Sequence, residues 1–154
     1  MSPRIAANPG TPYLLAGGVL SSLASLLHIA VIIGGPAWYR FFGAGEELAR
    51  SAERGEILPV AITLLIAVVL AVWAAYAFSG AGRLPRVPLI RTGLLAISAI
   101  YCLRGAALFP LLALRPNLVD NFTLWSSLIV LGYGLAYAIG TWLAWRALLP
   151  EKTR

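Results

Sequence analysis

Four long apolar segments constrain this chain more than any other feature of its sequence. They cover residues 12–33, 57–78, 92–114 and 124–145. A helix needs about 20 apolar residues to cross the hydrocarbon core of a bilayer, so each segment is long enough to do so. The connectors leave no room for a separate soluble domain. We therefore predict that residues 1–154 form a single integral membrane domain, an all-α bundle of four transmembrane helices.

The composition and the placement of charge agree with this prediction. The chain is 60% hydrophobic and 12% charged, with a net charge of +6, whereas soluble domains are about half apolar and a quarter charged. Its cations lie mostly at the ends of the apolar segments, which is typical of membrane topology. No basic stripe with interleaved aromatic residues indicates nucleic-acid binding. The expected partner is the lipid bilayer, and no nucleic acid.

The distribution of charge between the two sides predicts the orientation. One side holds most of the cations and a single acid, Glu151; its cations are Arg4, Arg83, Arg86, Arg91, Arg146, Lys152 and Arg154. The other side holds fewer cations, namely Arg40, Arg50, Arg54 and Arg115, and the acids Glu46, Glu47, Glu53, Glu56 and Asp120. Because Lys and Arg concentrate on the cytoplasmic side, we expect both termini in the cytoplasm. The Arg-, Ala-, Leu- and Gly-rich composition favours a bacterial inner membrane.

The connector at 34–56 is the longest, and we expect it to contain a short interfacial helix. Gly34-Gly35-Pro36 is a helix-ending sequence. Further on, Glu46 and Arg50 have the i,i+4 spacing of a stabilising helical pair, and a glycine at position 55 is a natural stop. Two interpretations stay open: the helix covers the outer end of the bundle, or it is a solvated loop helix with no such role. In the last connector, we expect Asp120 or Asn121 to cap the fourth helix.

Arg104 is the charge that topology does not explain. It lies near the middle of the third segment, and an ionisable side chain inside a membrane span points to function. Helical side chains lean toward the helix N-terminus, so we expect the guanidinium to point deeper rather than toward the outer surface. We therefore predict that it faces the bundle interior. The alternative is a structural role, in which Arg104 ties helices together by hydrogen bonds.

Other polar residues fall on interior faces of the predicted helices. At 100° per residue, one face of the first helix carries Gly17, Ser21, Ser25 and His28, and one face of the fourth carries Ser126, Tyr133, Tyr137 and Gly140. These faces predict a polar pocket in the outer half of the bundle, with Glu56 at its rim and Glu46 and Glu47 able to fold over it. Its candidate ligand-binding residues are Arg104, His28, Tyr101, Tyr133, Tyr137 and Glu56. Interhelical hydrogen bonding by His28 and simple packing of the tyrosines are the structural alternatives.

The sequence gives no motif for catalysis, metal binding or a cofactor. No His, Cys or carboxylate cluster has metal-ligand spacing, and no phosphate-binding loop or nucleophile elbow is present. The single Cys102 cannot form an internal disulfide. We therefore predict no catalytic residue, no metal and no cofactor.

The four-span outline resembles two known families without sharing their motifs. It is similar in length to the small multidrug transporters, but the first helix has His28 where those carry an acid. It also resembles the membrane-associated glutathione transferases, although SAERGEILP replaces their Arg/His/Asn-rich run into the second helix.

Three functional hypotheses follow. The first is binding or transport of a small anionic or lipid-headgroup-like ligand, since a guanidinium suits carboxylate and phosphate. The second is a non-catalytic accessory subunit of a larger membrane complex, which would pack through small-residue faces. The third is a membrane enzyme of the glutathione-transferase type with His28 as acid or base. Homo-oligomerisation is expected, because four short helices bury an arginine poorly.

Overall fold

The computed structural model describes residues 4–149, and this part of the chain is helical with no strand. Its elements are α1 (Thr11–Phe41), α2 (Glu46–Glu53), α3 (Ile57–Gly80), α4 (Ile90–Ala106), α5 (Leu108–Leu114), a 3-10 turn (Pro116–Leu118) and α6 (Asn121–Ala144). Glu151, Lys152 and Arg154, which entered the orientation argument, lie outside the described residues.

The four predicted spans correspond to four long apolar helical stretches. These are Thr11–Phe41, Ile57–Gly80, Ile90–Leu114 and Asn121–Ala144, each long and apolar enough to cross a membrane. The prediction of an all-α chain with four candidate spans is confirmed, and the fold is compatible with a multi-pass membrane protein. The orientation of the termini and the interfacial position of α2 stay predictions.

Helix α1 changes direction at Gly35. This residue has φ 66° and ψ −153°, outside helical geometry, and the helix resumes with Pro36 and ends at Phe41. Such dihedral angles are essentially restricted to glycine, and Pro36 has no N–H to donate to the preceding turn. The predicted end of the first helix at this Gly-Gly-Pro sequence is therefore a kink, after which a further helical turn carries the aromatic residues around Arg40.

The third span is interrupted, whereas the sequence predicted one continuous helix over 92–114. Helix α4 ends at Ala106 and α5 begins at Leu108. Pro110 accounts for the break, because its ring clashes with the carbonyl four residues earlier, that of Ala106, and it offers no N–H there. The fourth helix begins as predicted: the Asp120 carboxylate accepts the Thr123 N–H at 2.7 Å and caps α6.

The four spanning elements form two tight hairpins that pack side by side. Helices α1 and α3 make one hairpin and α4 and α6 the other; α1 also packs on α6, and α3 on α4. Glycines allow the second hairpin to approach closely: a Cβ at Gly105 would lie 2.6 Å from the Leu131 nitrogen, and one at Gly134 would lie 2.7 Å from the Cys102 Sγ. We call the end of the bundle that carries α2 the α2 end, and the opposite end, where α1 begins and α6 finishes, the terminal end.

Candidate functional site

A chain of hydroxyl groups joins all four spanning helices in the bundle core. The Tyr137 hydroxyl donates to the Trp73 carbonyl at 3.0 Å, so its oxygen accepts the Ser21 Oγ–H at 2.9 Å. The Ser21 oxygen is then the acceptor for the Tyr101 hydroxyl at 3.0 Å. Each of these three hydroxyls donates one hydrogen bond, and the order is Tyr101, Ser21, Tyr137 and then the Trp73 carbonyl. Because every donor is used, the network suits an apolar interior.

Aromatic rings surround this chain of hydroxyls. The ring centroid of Tyr101 lies 4.8 Å from Trp73 and 5.6 Å from both Tyr133 and Tyr137. The structure thus brings together three of the predicted residues, the tyrosines, with Ser21 from the predicted polar face of α1. Sequence reasoning missed Trp73, which contributes a backbone carbonyl and a ring; neither gives a polar signal in the sequence. Tyr137 is fully buried and Tyr101 nearly so. That these tyrosines contact a ligand stays a prediction.

Arg104 is not part of this hydrogen-bonded core, whereas the sequence predicted that it faces the bundle interior. Its role in ligand binding stays a prediction. The residue is exposed, and its Nη1 donates to the Ser127 Oγ at 3.2 Å. No carboxylate forms an ion pair with it within residues 4–149. A guanidinium has five N–H donors, so the described residues leave most of the hydrogen-bonding capacity of Arg104 unused.

The guanidinium also reaches toward the α2 end rather than deeper, contrary to expectation. Contacts of Gly105 with Leu131 and of Gly134 with Cys102 set the antiparallel register of α4 and α6, which places the Arg104 backbone level with residue 132. Its acceptor Ser127 lies five residues closer to the α2 end, about 7 Å at the helical rise of 1.5 Å per residue. The long side chain therefore extends along the α4–α6 seam in that direction.

His28 is partly buried, and its ring is oriented by its own helix. Its Nδ1 lies 2.7 Å from the Ala24 carbonyl, so Nδ1 carries the hydrogen and Nε2 offers its lone pair in the neutral ring. Contacts of Gly17 with Tyr137 and of Leu14 with Gly140 set the register of α1 and α6. That register places His28 level with Ser126, and hence at the depth of the Arg104 guanidinium.

Neither Glu56 nor Glu46 forms an ion pair with Arg104 within residues 4–149. Their predicted position at the rim of a pocket stays a prediction. Glu56 is exposed, accepts hydrogen bonds from Arg54 and Ser51, and precedes α3. The hydrogen bond from Arg54, with that from Ser51, lowers the pKa of Glu56.

The acids of the α2 segment pair with local arginines instead. Glu46 binds Arg40 at 2.9 Å and, in the predicted i,i+4 pair, Arg50 at 3.0 Å. The hydrogen bonds from Arg40 and then Arg50 lower the pKa of Glu46 to about 2. Glu53 also binds Arg40, at 2.8 Å. These carboxylates are ionised and paired with Arg40 and Arg50. They are therefore not acidic partners of Arg104.

Two surface grooves are present elsewhere on the molecule. One is lined by Ala37, Trp38, Phe41 and Phe42 beyond the α1 kink. The other lies between α1 and α3, next to Ser22, Ser25, Ala71 and Phe78. Neither groove contains any of the six predicted ligand-binding residues. In the described part of the chain, no three His, Cys, Asp or Glu side chains are grouped as metal ligands.

Comparisons with known proteins give no relative: no protein-family model, no curated protein and no solved structure matches this chain. The four apolar helices and the placement of their polar side chains are therefore the features that bear on function.

Proposed function

We propose that this protein is a small multi-pass membrane protein that binds or transports a small anionic or lipid-headgroup-like ligand, with Arg104 as the fixed positive charge. One observation carries the proposal: Arg104 is exposed within a candidate spanning segment, and within residues 4–149 its hydrogen-bond partner is the neutral Ser127 alone. A charged side chain inside the hydrocarbon core is costly, with a penalty that reaches about 2.5–3.5 kcal/mol at the helix centre on insertion scales. An anionic group that pairs with the guanidinium offsets this cost.

Guanidinium chemistry selects the ligand class. Its planar fork of N–H donors matches a carboxylate or a phosphate in two-pronged fashion. The Ser127 hydroxyl holds one donor of Arg104 at 3.2 Å and leaves the others available. His28, at the same depth on α1, has an Nε2 atom that is free to accept a hydrogen bond from a ligand or, when protonated, to donate one.

The accessory-subunit alternative has less support. It relied on small-residue faces that would receive a helix of another protein. In this structure Gly17, Gly105, Gly134 and Gly140 meet side chains or backbone of the same chain. Most of the close helix packing that these glycines permit is therefore used inside the bundle.

Ligand-induced stabilisation of the purified protein tests the proposal. The probes are inorganic phosphate, glycerol 3-phosphate and phosphatidylglycerol, each titrated in a neutral detergent while the midpoint of thermal unfolding is followed. We expect at least one probe to raise the midpoint, and Arg104→Gln to weaken its binding about tenfold or more, since a hydrogen bond to a charged group contributes about 1.5–3 kcal/mol.

Arg115→Gln is the matched control, because it removes the same charge from an exposed connector at the same end of the bundle. It should leave the affinity unchanged. Equal losses in the two variants would indicate a general charge effect and contradict a site at Arg104. An unfolding midpoint that falls in Arg104→Gln, with no response of the unaltered protein to any probe, would favour the structural role instead.

A further inference from the structure

The seam between α3 and α4 is closed at the terminal end of the bundle. The Tyr76 ring packs against Gly93, where it leaves no space for a Cβ, and Gly80 lies against the Leu94 side chain. In the next layer the rings of Trp73 and Tyr101 are in edge contact at 4.8 Å. Tyr76, Trp73 and Gly80 lie within about 60° of arc on α3 at 100° per residue, and this arc defines the α4-facing side of that helix.

The same seam is open toward the α2 end. The α4-facing side of α3 continues with Ile62, Ile66 and Val69. Together with Trp73, Tyr76 and Gly80, these residues lie within about 80° of arc. Yet the side chains of Ile62, Ile66 and Val69 are 39%, 41% and 36% exposed. Packing stays close on the adjacent side of α3, where the buried residues Pro59, Thr63 and Ala67 lie along the face that meets α1.

Arg104 stands on the opposite wall of this opening. On α4 it shares an arc of about 40° with Gly93 and Ile97, which lie toward α3 in the closed part of the seam. Ile97 is buried and Gly93 contacts Tyr76, whereas Arg104 is exposed. The opening therefore has an apolar wall on α3 and is flanked by Arg104 of α4, whose guanidinium reaches Ser127 of α6. It faces the side of the bundle rather than its end.

We propose that this lateral opening admits an anionic phospholipid from the surrounding leaflet. The headgroup phosphate pairs with Arg104, and an acyl chain lies along Ile62, Ile66 and Val69. This inference rests on the proposed anion site and specifies both its ligand and the route of entry. A free anion would not interact favourably with the apolar wall, and a plain hydrocarbon would not pair with the cation. An amphiphile with an anionic headgroup can do both.

The depth of the cation agrees with this ligand. Ser127, which holds the guanidinium, is six residues from the start of α6, or about 9 Å along the helix. Helix α6 has 24 residues, about 36 Å, and extends slightly beyond a hydrocarbon core of about 30 Å. The guanidinium thus lies a few ångströms inside the core boundary, within reach of the phosphates of the adjacent leaflet.

Blocking the opening tests the inference. Val69→Phe places a ring in the opening, and Val68→Phe places the same ring on the next position of α3, which is 52% exposed and points away from α4. Phosphatidylglycerol binding to the full chain is measured by native mass spectrometry. We expect Val69→Phe to weaken it about tenfold, as expected for one overpacked contact, and Val68→Phe to leave it within twofold of the unaltered protein, a change of about 0.4 kcal/mol.

A second pair guards against misfolding of one variant: Ile62→Phe should weaken binding and Leu64→Phe, on the outward side, should not. Equal affinities within both pairs would overturn the lateral opening. Glycerol 3-phosphate binding as tightly as phosphatidylglycerol, with the same dependence on Arg104, would overturn the lipid ligand and leave the anion site intact. Loss of dependence on Arg104 for every probe would overturn the proposed function as well.

Discussion

Ser21 shows how much one small side chain can organise in an apolar core. It is fully buried on α1 and bridges the hydroxyls of Tyr101 and Tyr137. A hydroxyl in this position needs partners, because an unsatisfied polar group inside the protein costs about 1–3 kcal/mol. The three residues together therefore fix the relative rotation of three helices, and the Trp73 carbonyl adds the fourth.

Replacing this hydroxyl should destabilise the bundle. In Ser21→Ala the Tyr101 hydroxyl loses its acceptor, whereas Tyr137 keeps the Trp73 carbonyl, so we expect a loss of about 1–2 kcal/mol. Unfolding by a denaturing detergent measures it. Ser22→Ala is the control, since the Ser22 hydroxyl bonds only the Gly18 carbonyl of its own helix; the same loss in both variants would contradict the network's role.

The sequence pattern predicted which helix faces are buried, but it did not predict that Arg104 is exposed. Ser21 and Tyr137 lie inside, as their 100° spacing predicted, and Tyr101 is buried with them. Arg104 is also on an inward-turned side of its helix, but it is exposed, as are Ile62, Ile66 and Val69 on the facing side of α3. Helical periodicity reports the direction of a side chain, and it contains no information on whether a second helix stands opposite at that depth.

At the scale of elements, glycine and proline determine where the helices bend. The predicted break at Gly34-Gly35-Pro36 is present as a kink. The break near Pro110 was missed, because the residues around it are continuously apolar and the hydropathy pattern does not change. Hydrophobic periodicity marks how far an apolar segment extends, whereas the proline marks where its hydrogen-bond ladder fails.

The Gly35 kink should be sensitive to any side chain. A Cβ there meets open space, yet φ is 66° with ψ −153°, a conformation that costs other residues about 1–3 kcal/mol. We expect Gly35→Ala to lower the free energy of unfolding by that amount. Gly132→Ala also adds a methyl group into open space, but on regular helix α6, where it should be neutral or stabilising by up to about 1 kcal/mol.

Thermal unfolding of the two variants separates backbone strain from crowding, since neither position has a neighbouring atom within 4 Å of the added carbon. Equal stability of Gly35→Ala and the unaltered protein would mean that the kink relaxes into a continuous helix without loss.

At the scale of the whole molecule, charge is divided between the two ends of the bundle. Within residues 4–149 the acids are all at the α2 end, where Glu46, Glu53 and Glu56 form ion pairs. In this part of the chain, the charged residues at the terminal end are all arginines. Arg86 donates to the Leu148 carbonyl, and the Arg91 guanidinium stacks 3.5 Å from the centre of the Trp145 ring. Local partners thus hold two of these cations in place at the terminal end of the bundle while their charge persists.

This asymmetry predicts that the terminal end faces the cytoplasm, because unpaired cations resist translocation and acids contribute little. Single cysteines in a Cys102→Ala background test it: Leu84→Cys lies in the connector at the terminal end and Leu118→Cys in the connector at the α2 end, both on exposed positions. In intact cells a membrane-impermeant maleimide should label Leu118→Cys at once and Leu84→Cys only after permeabilisation. The reverse pattern would invert the topology, and it would place the Arg104 opening in the cytoplasmic leaflet instead of the outer one.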